Sequence, residues 1–207
     1  MARPREFDTL DALDRAMELF WTKGYEATSL QDLIDGMTVS KSSFYDTFGS
    51  KHDLYVMSLG RYIETVLAGA VARLESDEPG HQAILGVFDR LVRELTTPAG
   101  ARGCFLDNGA VELALDDAQV RRQVETGRVR LTRAFRRAVR RGQADGSIAG
   151  HDSRALSRYL MNVRHGLIVT AKTRPRRRSL EATVRLSLGV LDRAAAADLA
   201  PAVTAGS

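Results

Sequence analysis

The chain has 207 residues, 44% of them hydrophobic and 27% charged, enough for a sizeable core at roughly 100–200 residues per domain. Its single cysteine, Cys104, excludes an intramolecular disulfide and a cysteine-rich zinc site. The net charge of +4 is unevenly spread: residues 1–60 hold 6 Lys+Arg against 10 Asp+Glu, and residues 61–207 hold 24 against 16, so any nucleic-acid affinity of the first part must rest on a few positioned contacts.

The N-terminal stretch mixes acids through its apolar residues and no later segment reaches about 18 uninterrupted apolar residues. The expectation is a soluble cytoplasmic chain with no membrane partner. No alternating β-branched run flanks an Asn-Gly or Asp-Gly turn, while helical periodicity recurs throughout, so the expected fold class is all-α. Leu10, Leu13, Met17 and Phe20 line one face of a first helix that ends near Gly24. "TSLQDLIDGM" then predicts a short helix capped by Thr28 with Gln31 completing a capping box, Leu30, Leu33 and Ile34 facing inward and Gly36 ending it. A turn over "GMT" leads to a third helix, about Ser40 to Thr47, stopped by Gly49. Three helices, the last two joined tightly, form a helix-turn-helix layout.

Ser50 caps a long fourth helix over about Lys51 to Glu75, with Leu54, Met57, Ile63, Val66 and Leu67 on its apolar side. Further helices are expected over about His81 to Thr96, Phe105 to Leu115, Asp117 to Asp145, Ser153 to Thr173 and Ser179 to Ala197, with "RPRRR" at 174–178 as a loop. The domain division read from this order is 1–50 for the helix-turn-helix domain, 51–200 for a helical effector-binding and dimerisation domain, and 201–207 for a frayed tail.

The stretch "TSLQDLIDGMTVSKSSFYDTFGSKHDLY", preceded by the Gly-Tyr pair of "KGYEATSL", resembles the DNA-binding domain of the TetR family of transcriptional regulators over about residues 8 to 60. The residue chemistry agrees. Ser40, Ser42 and Ser43 are small enough to let a recognition helix approach the major groove, and Lys41 can reach a phosphate or a guanine edge. Tyr45 and Lys51 suit phosphate contacts, as do backbone N–H groups at Thr28; Phe44 and Phe48 anchor the helix, and Arg3 and Arg5 could enter a minor groove. The sequence departs from the family pattern in placing Met37 and Thr38 in the turn and Asp46, which repels phosphate, on the recognition helix. The double-stranded DNA partner requires two copies, since each good bidentate base contact is worth only ~1–3 kcal/mol.

The resemblance implies a homodimer formed by the last two helices. The stripes Leu156, Leu160, Val163, Leu167, Ala171 and Val184, Leu188, Leu191, Ala195 are the candidates for that contact. Cys104 precedes a helix and follows Arg102, a setting that favours the thiolate of a sensor; "RGCFLDNGAVELALDD" also resembles a TetR-family subgroup, some of whose members respond to electrophiles. The resemblance implies effector contacts at Cys104, Tyr62, Phe88, Asn108, Glu112, Met161 and His165, where a small-molecule effector, covalent or not, would release the repressor from a palindromic operator. No cofactor, no metal and no enzymatic activity are expected. Two other classes remain: a thiol-dependent enzyme using Cys104, for which the four histidines offer no Cys/His pairing motif, and a basic helical adaptor using Arg133, Arg136, Arg137, Arg140 and Arg141, which a solvated helix face also explains.

Overall fold

A computed structural model describes residues 7–192. Among these the chain forms nine α-helices and no strand: α1 (Thr9–Lys23), α2 (Leu30–Met37), α3 (Lys41–Phe48), α4 (Lys51–Leu74), α5 (Gly80–Leu95), α6 (Phe105–Glu112), α7 (Ala118–Ala144), α8 (Ser153–Ala171) and α9 (Arg177–Leu188). The all-α expectation holds. Arg3, Arg5, Ala195 and the tail at 201–207 lie outside the described residues. No described helix is long and apolar enough to cross a membrane. The chain divides into two compact units, Met1–Ala68 with Arg102–Val129 and Gly69–Ala101 with Arg130–Ser207, so α4 and α7 each supply residues to both.

In the first unit, local signals set most helix ends. Asp8 caps α1 by accepting from the N–H groups of Leu10 and Asp11, and Gly24 closes it with φ 85°, a left-handed conformation that favours glycine. The second helix corrects the sequence reading by one residue. Ser29, not Thr28, is the cap, and Asp32, not Gln31, completes the capping box. Thr28 is fully buried, with its hydroxyl donating to the Gly24 carbonyl at 2.6 Å and its N–H to Tyr25 at 3.3 Å. Gly36 does not end α2 either. A side chain there would meet Leu19 at 2.6 Å, so this glycine lets α1 and α2 approach, and the stop falls on Thr38, which takes the left-handed φ of 59°. Ser50 caps α4 as expected, accepting from the Asp53 N–H.

The core of this unit joins Leu13, Met17 and Phe20 of α1, Leu33 and Met37 of α2, Phe44 and Phe48 of α3, and Leu54, Tyr55, Leu59 and Tyr62 of α4. Leu10, Met57 and Val66 are exposed instead, and Leu30 and Ile34 are only half-buried. Arg61 of α4 grips Asp14 of α1 with two donors at 2.7 and 2.8 Å, which holds the Asp14 carboxyl below its usual range.

In the second unit, α5 packs against α8 and α9. Gly80 starts α5 where any side chain would strike the Ala138 carbonyl at 2.0 Å, so α5 can meet α7 only through glycine. This packing overturns the expected dimer stripes. Leu156, Leu160, Leu167, Ala171, Val184, Leu188 and Leu191 are buried within the single chain, and Val163 is half-buried. The apolar stripe of a helix turns to the nearest hydrophobic surface, which here is the chain's own α5. The expected loop at 174–178 is shorter, since Arg177 and Arg178 already open α9.

Two outcomes follow for α2. Ser29→Ala removes the cap and should lower stability by about 1 kcal/mol, read as a lower melting temperature. The Asp32 carboxyl is held from its usual 3.8 down to about 2 by Lys23 and the Ser29 donors, so its contribution is present above its usual value and is lost as pH falls through about 2. Melting curves of wild type and Asp32→Asn should differ at neutral pH and converge at the acid end; parallel curves throughout would contradict this.

Candidate nucleic-acid interface and thiol site

The third helix is short, and its two faces divide cleanly. Phe44 and Phe48 are buried, whereas Lys41, Ser42, Tyr45 and Asp46 are exposed. Ser40 is the cap, accepting from the Ser43 N–H at 3.1 Å, and its hydroxyl also meets those of Ser42 and Ser43 at 3.0 and 2.8 Å. The three serines therefore form one hydroxyl cluster at the start of α3, beside Lys41. Tyr45 stands edge-on to Phe44 at 5.4 Å, fixing its base while 46% of the residue remains exposed. Lys51 lies over the Tyr25 ring at 4.3 Å. Thr28 differs from the others: it is buried with both donors used inside the chain, which corrects its expected phosphate role. The turn before α3 is braced by Arg15, which donates to the Thr38 hydroxyl at 3.2 Å.

The thiol lies in the same unit. Cys104 occupies the cap position of α6, is 3% exposed, and its Sγ accepts from the Tyr62 hydroxyl at 3.5 Å. Tyr62 packs edge-on to Trp21 at 5.0 Å and to Phe105 at 5.9 Å. Arg102, expected beside the thiol, stacks its guanidinium 3.4 Å over Trp21 and pairs with Glu18 of α1. The Trp21 indole N–H donates to the Gly103 carbonyl at 3.0 Å. Asn108 donates to the Arg102 carbonyl at 2.9 Å, bracing the turn into α6.

Of the expected effector contacts, Cys104 and Tyr62 are brought together. Glu112 is exposed at the end of α6 and accepts from the Glu26 N–H at 3.0 Å. Phe88, Met161 and His165 belong to the second unit, where Phe88 packs against Phe135 at 5.9 Å, Met161 is buried and His165 is half-buried. Nothing in the sequence marks Trp21 as a contact or Glu18 as more than part of the polar face of α1, because their partners lie 82 and 84 residues away and no local pattern links them.

Residues 12–56 match the family described as "Bacterial regulatory proteins, tetR family", and residues 80–186 match "Tetracyclin repressor-like, C-terminal domain". The chain is 37% identical over 194 residues to YezE, an HTH-type transcriptional regulator of Bacillus subtilis, covering 93% of this chain and 100% of the relative. The chain belongs to the TetR family. This TetR-type regulator is also 31% identical to the HTH-type transcriptional repressor ComR of Escherichia coli, with 82% of each chain covered. Among solved structures it resembles a cysteine-substituted form of the TetR-family regulator CifR complexed with 26-base-pair operator DNA, at TM-score 0.81 and 32% identity, over 92% of this chain and 100% of that one. The reduced form of Escherichia coli NemR shares the fold at TM-score 0.81 and 19% identity, over 94% and 98%.

The stacking of Arg102 on the chain's one tryptophan makes the contact observable. Arg102→Ala should shift Trp21 emission to longer wavelength and lower stability by about 1 kcal/mol; unchanged emission would contradict the stacked geometry.

Proposed function

We propose that this TetR-type regulator is a homodimeric repressor that reads a palindromic operator through α3 and is released when an effector engages Cys104. The carrying observation is the exposed face of α3, where Lys41, Ser42 and Tyr45 stand open to solvent beside the Ser40 cap while Phe44 and Phe48 hold the helix to its core. Small side chains at the start of a helix permit approach to the major groove, and Lys41, Tyr45 and Lys51 supply the positioning contacts. The operator of the CifR complex supports DNA as the partner.

Two copies are needed for specificity, with half-sites one or more helical turns apart. In place of the buried stripes, the exposed residues Tyr159 and Val169 of α8 and Leu186 of α9, the last 85% exposed, are the proposed contact with the second copy. The effector reading rests on Cys104 and Tyr62. An unsaturated electrophile would add across its double bond, forming a carbon–sulfur bond and placing the thiol proton on the adjacent carbon, and the adduct would displace the Tyr62 hydroxyl from Sγ.

Selection from random DNA followed by fluorescence anisotropy tests the reading. Lys41→Ala should weaken binding and reduce the salt slope by about 1; an unchanged slope would remove Lys41 from the phosphate contacts. An unsaturated aldehyde should release wild type but not Cys104→Ser, whereas equal behaviour would assign the effector to a noncovalent contact. Leu186→Glu combined with Val169→Glu should yield monomers in sedimentation; a persisting dimer would place the contact elsewhere.

A further inference from the structure

We infer that α6 is a clasp fastened to the reading head at both ends, and that Glu112 is a positioning residue for DNA recognition; the inference rests on the proposed DNA-reading role. At the leading end of α6, Arg102 pairs with Glu18 and stacks on Trp21, and the Gly103 carbonyl accepts from the Trp21 indole. At the trailing end, Glu112 reaches back to the Glu26 N–H at 3.0 Å. The same carboxylate lies against Gly24, where an added side chain would meet its oxygens at 3.2 and 3.4 Å. Gly24 and Glu26 belong to the connection between α1 and α2, so this hydrogen bond holds the segment that enters the Ser29 cap and carries α2 and α3.

Between the two ends, Gly109 allows α6 to lie close on the Tyr55 hydroxyl, 3.0 Å from where a side chain would begin. Just past α6, Asp117 meets His52 at 2.5 Å, next to Lys51 at the start of α4. The contacts of α6 and the turn after it thus bracket the reading head from Trp21 to His52. An exposed carboxylate bonded to one loop amide adds little to global stability. Its consequence is orientation: it ties the position of α6, and hence of Cys104 at its cap, to the segment leading into the helix-turn-helix.

The experiment compares full-length wild type, Glu112→Ala and Glu112→Gln on the selected operator across a salt series, with amide exchange read at Glu26. Glu112→Ala should weaken operator binding about fivefold or more with the salt slope unchanged, because no phosphate contact is removed. Glu112→Gln keeps an acceptor oxygen and should bind within about twofold of wild type. Glu112→Ala binding as tightly as wild type, or a loss that Gln fails to restore, would overturn the proposal. Should wild type show no sequence preference, the DNA-reading proposal fails on its own. The clasp is then judged by the Glu26 amide, whose exchange Glu112→Ala must accelerate about tenfold and Glu112→Gln must not.

Discussion

One buried ring holds the first unit together. Tyr55 of α4 meets Phe20 of α1 at 5.0 Å, Tyr25 of the α1–α2 connection at 5.0 Å and Phe105 of α6 at 5.4 Å, two of these contacts closely edge-on and the Tyr25 contact at 66°. Each such side chain buries roughly 150–250 Å², so no one of the three elements can shift without opening apolar surface on the other two. Burial pushes the Tyr55 hydroxyl well above the ordinary tyrosine range, and the nearby Glu112, Tyr25 and Asp117 add to the effect. The ring remains neutral, as this packing needs.

The exposed face of α3 inherits its geometry from that core. Helices of eight residues such as α2 and α3 are marginal by themselves. They persist because Leu33, Met37, Phe44 and Phe48 are buried and because Ser29 and Ser40 satisfy the first orphan N–H groups. Tyr25 links the two regions: one side of its environment is the Tyr55 cluster, and Lys51 lies over its face. The thiol joins the same network through Tyr62, which touches Cys104, Trp21 and Phe105. Cys104 and α3 thus share one packed unit, a physical setting in which a displacement at one can be felt at the other.

Where a signal was local, it was legible. Gly24 and Gly49 as helix stops and Ser50 as a cap are each decided by one residue's backbone freedom or one short hydrogen bond. The start of α2 is ambiguous in the sequence because "TSLQD" offers two hydroxyls followed three residues later by Gln31 or Asp32, and only packing decides that Thr28 turns inward to Gly24. The stripes on α8 and α9 were legible as apolar but not as to what they face. Periodicity marks the side of a helix that leaves water without naming the surface it meets.

The sequence by itself determined the all-α class, nearly every helix and the family, because caps, stops and periodicity act over a few residues and the "KGYEATSL" and "FYDTFGSK" patterns are local text. Tertiary structure alone decided that Leu156, Leu160, Leu167 and their partners on α9 serve the chain's own core, that Arg102 stacks on Trp21 and that Glu112 grips the Glu26 amide. The physical reason is that a local pattern names no distant partner: periodicity shows which side of α8 and α9 leaves water but not what it meets, and the Trp21–Gly103, Glu26–Glu112 and Glu18–Arg102 contacts join residues 82, 86 and 84 apart that meet only once the helices have packed.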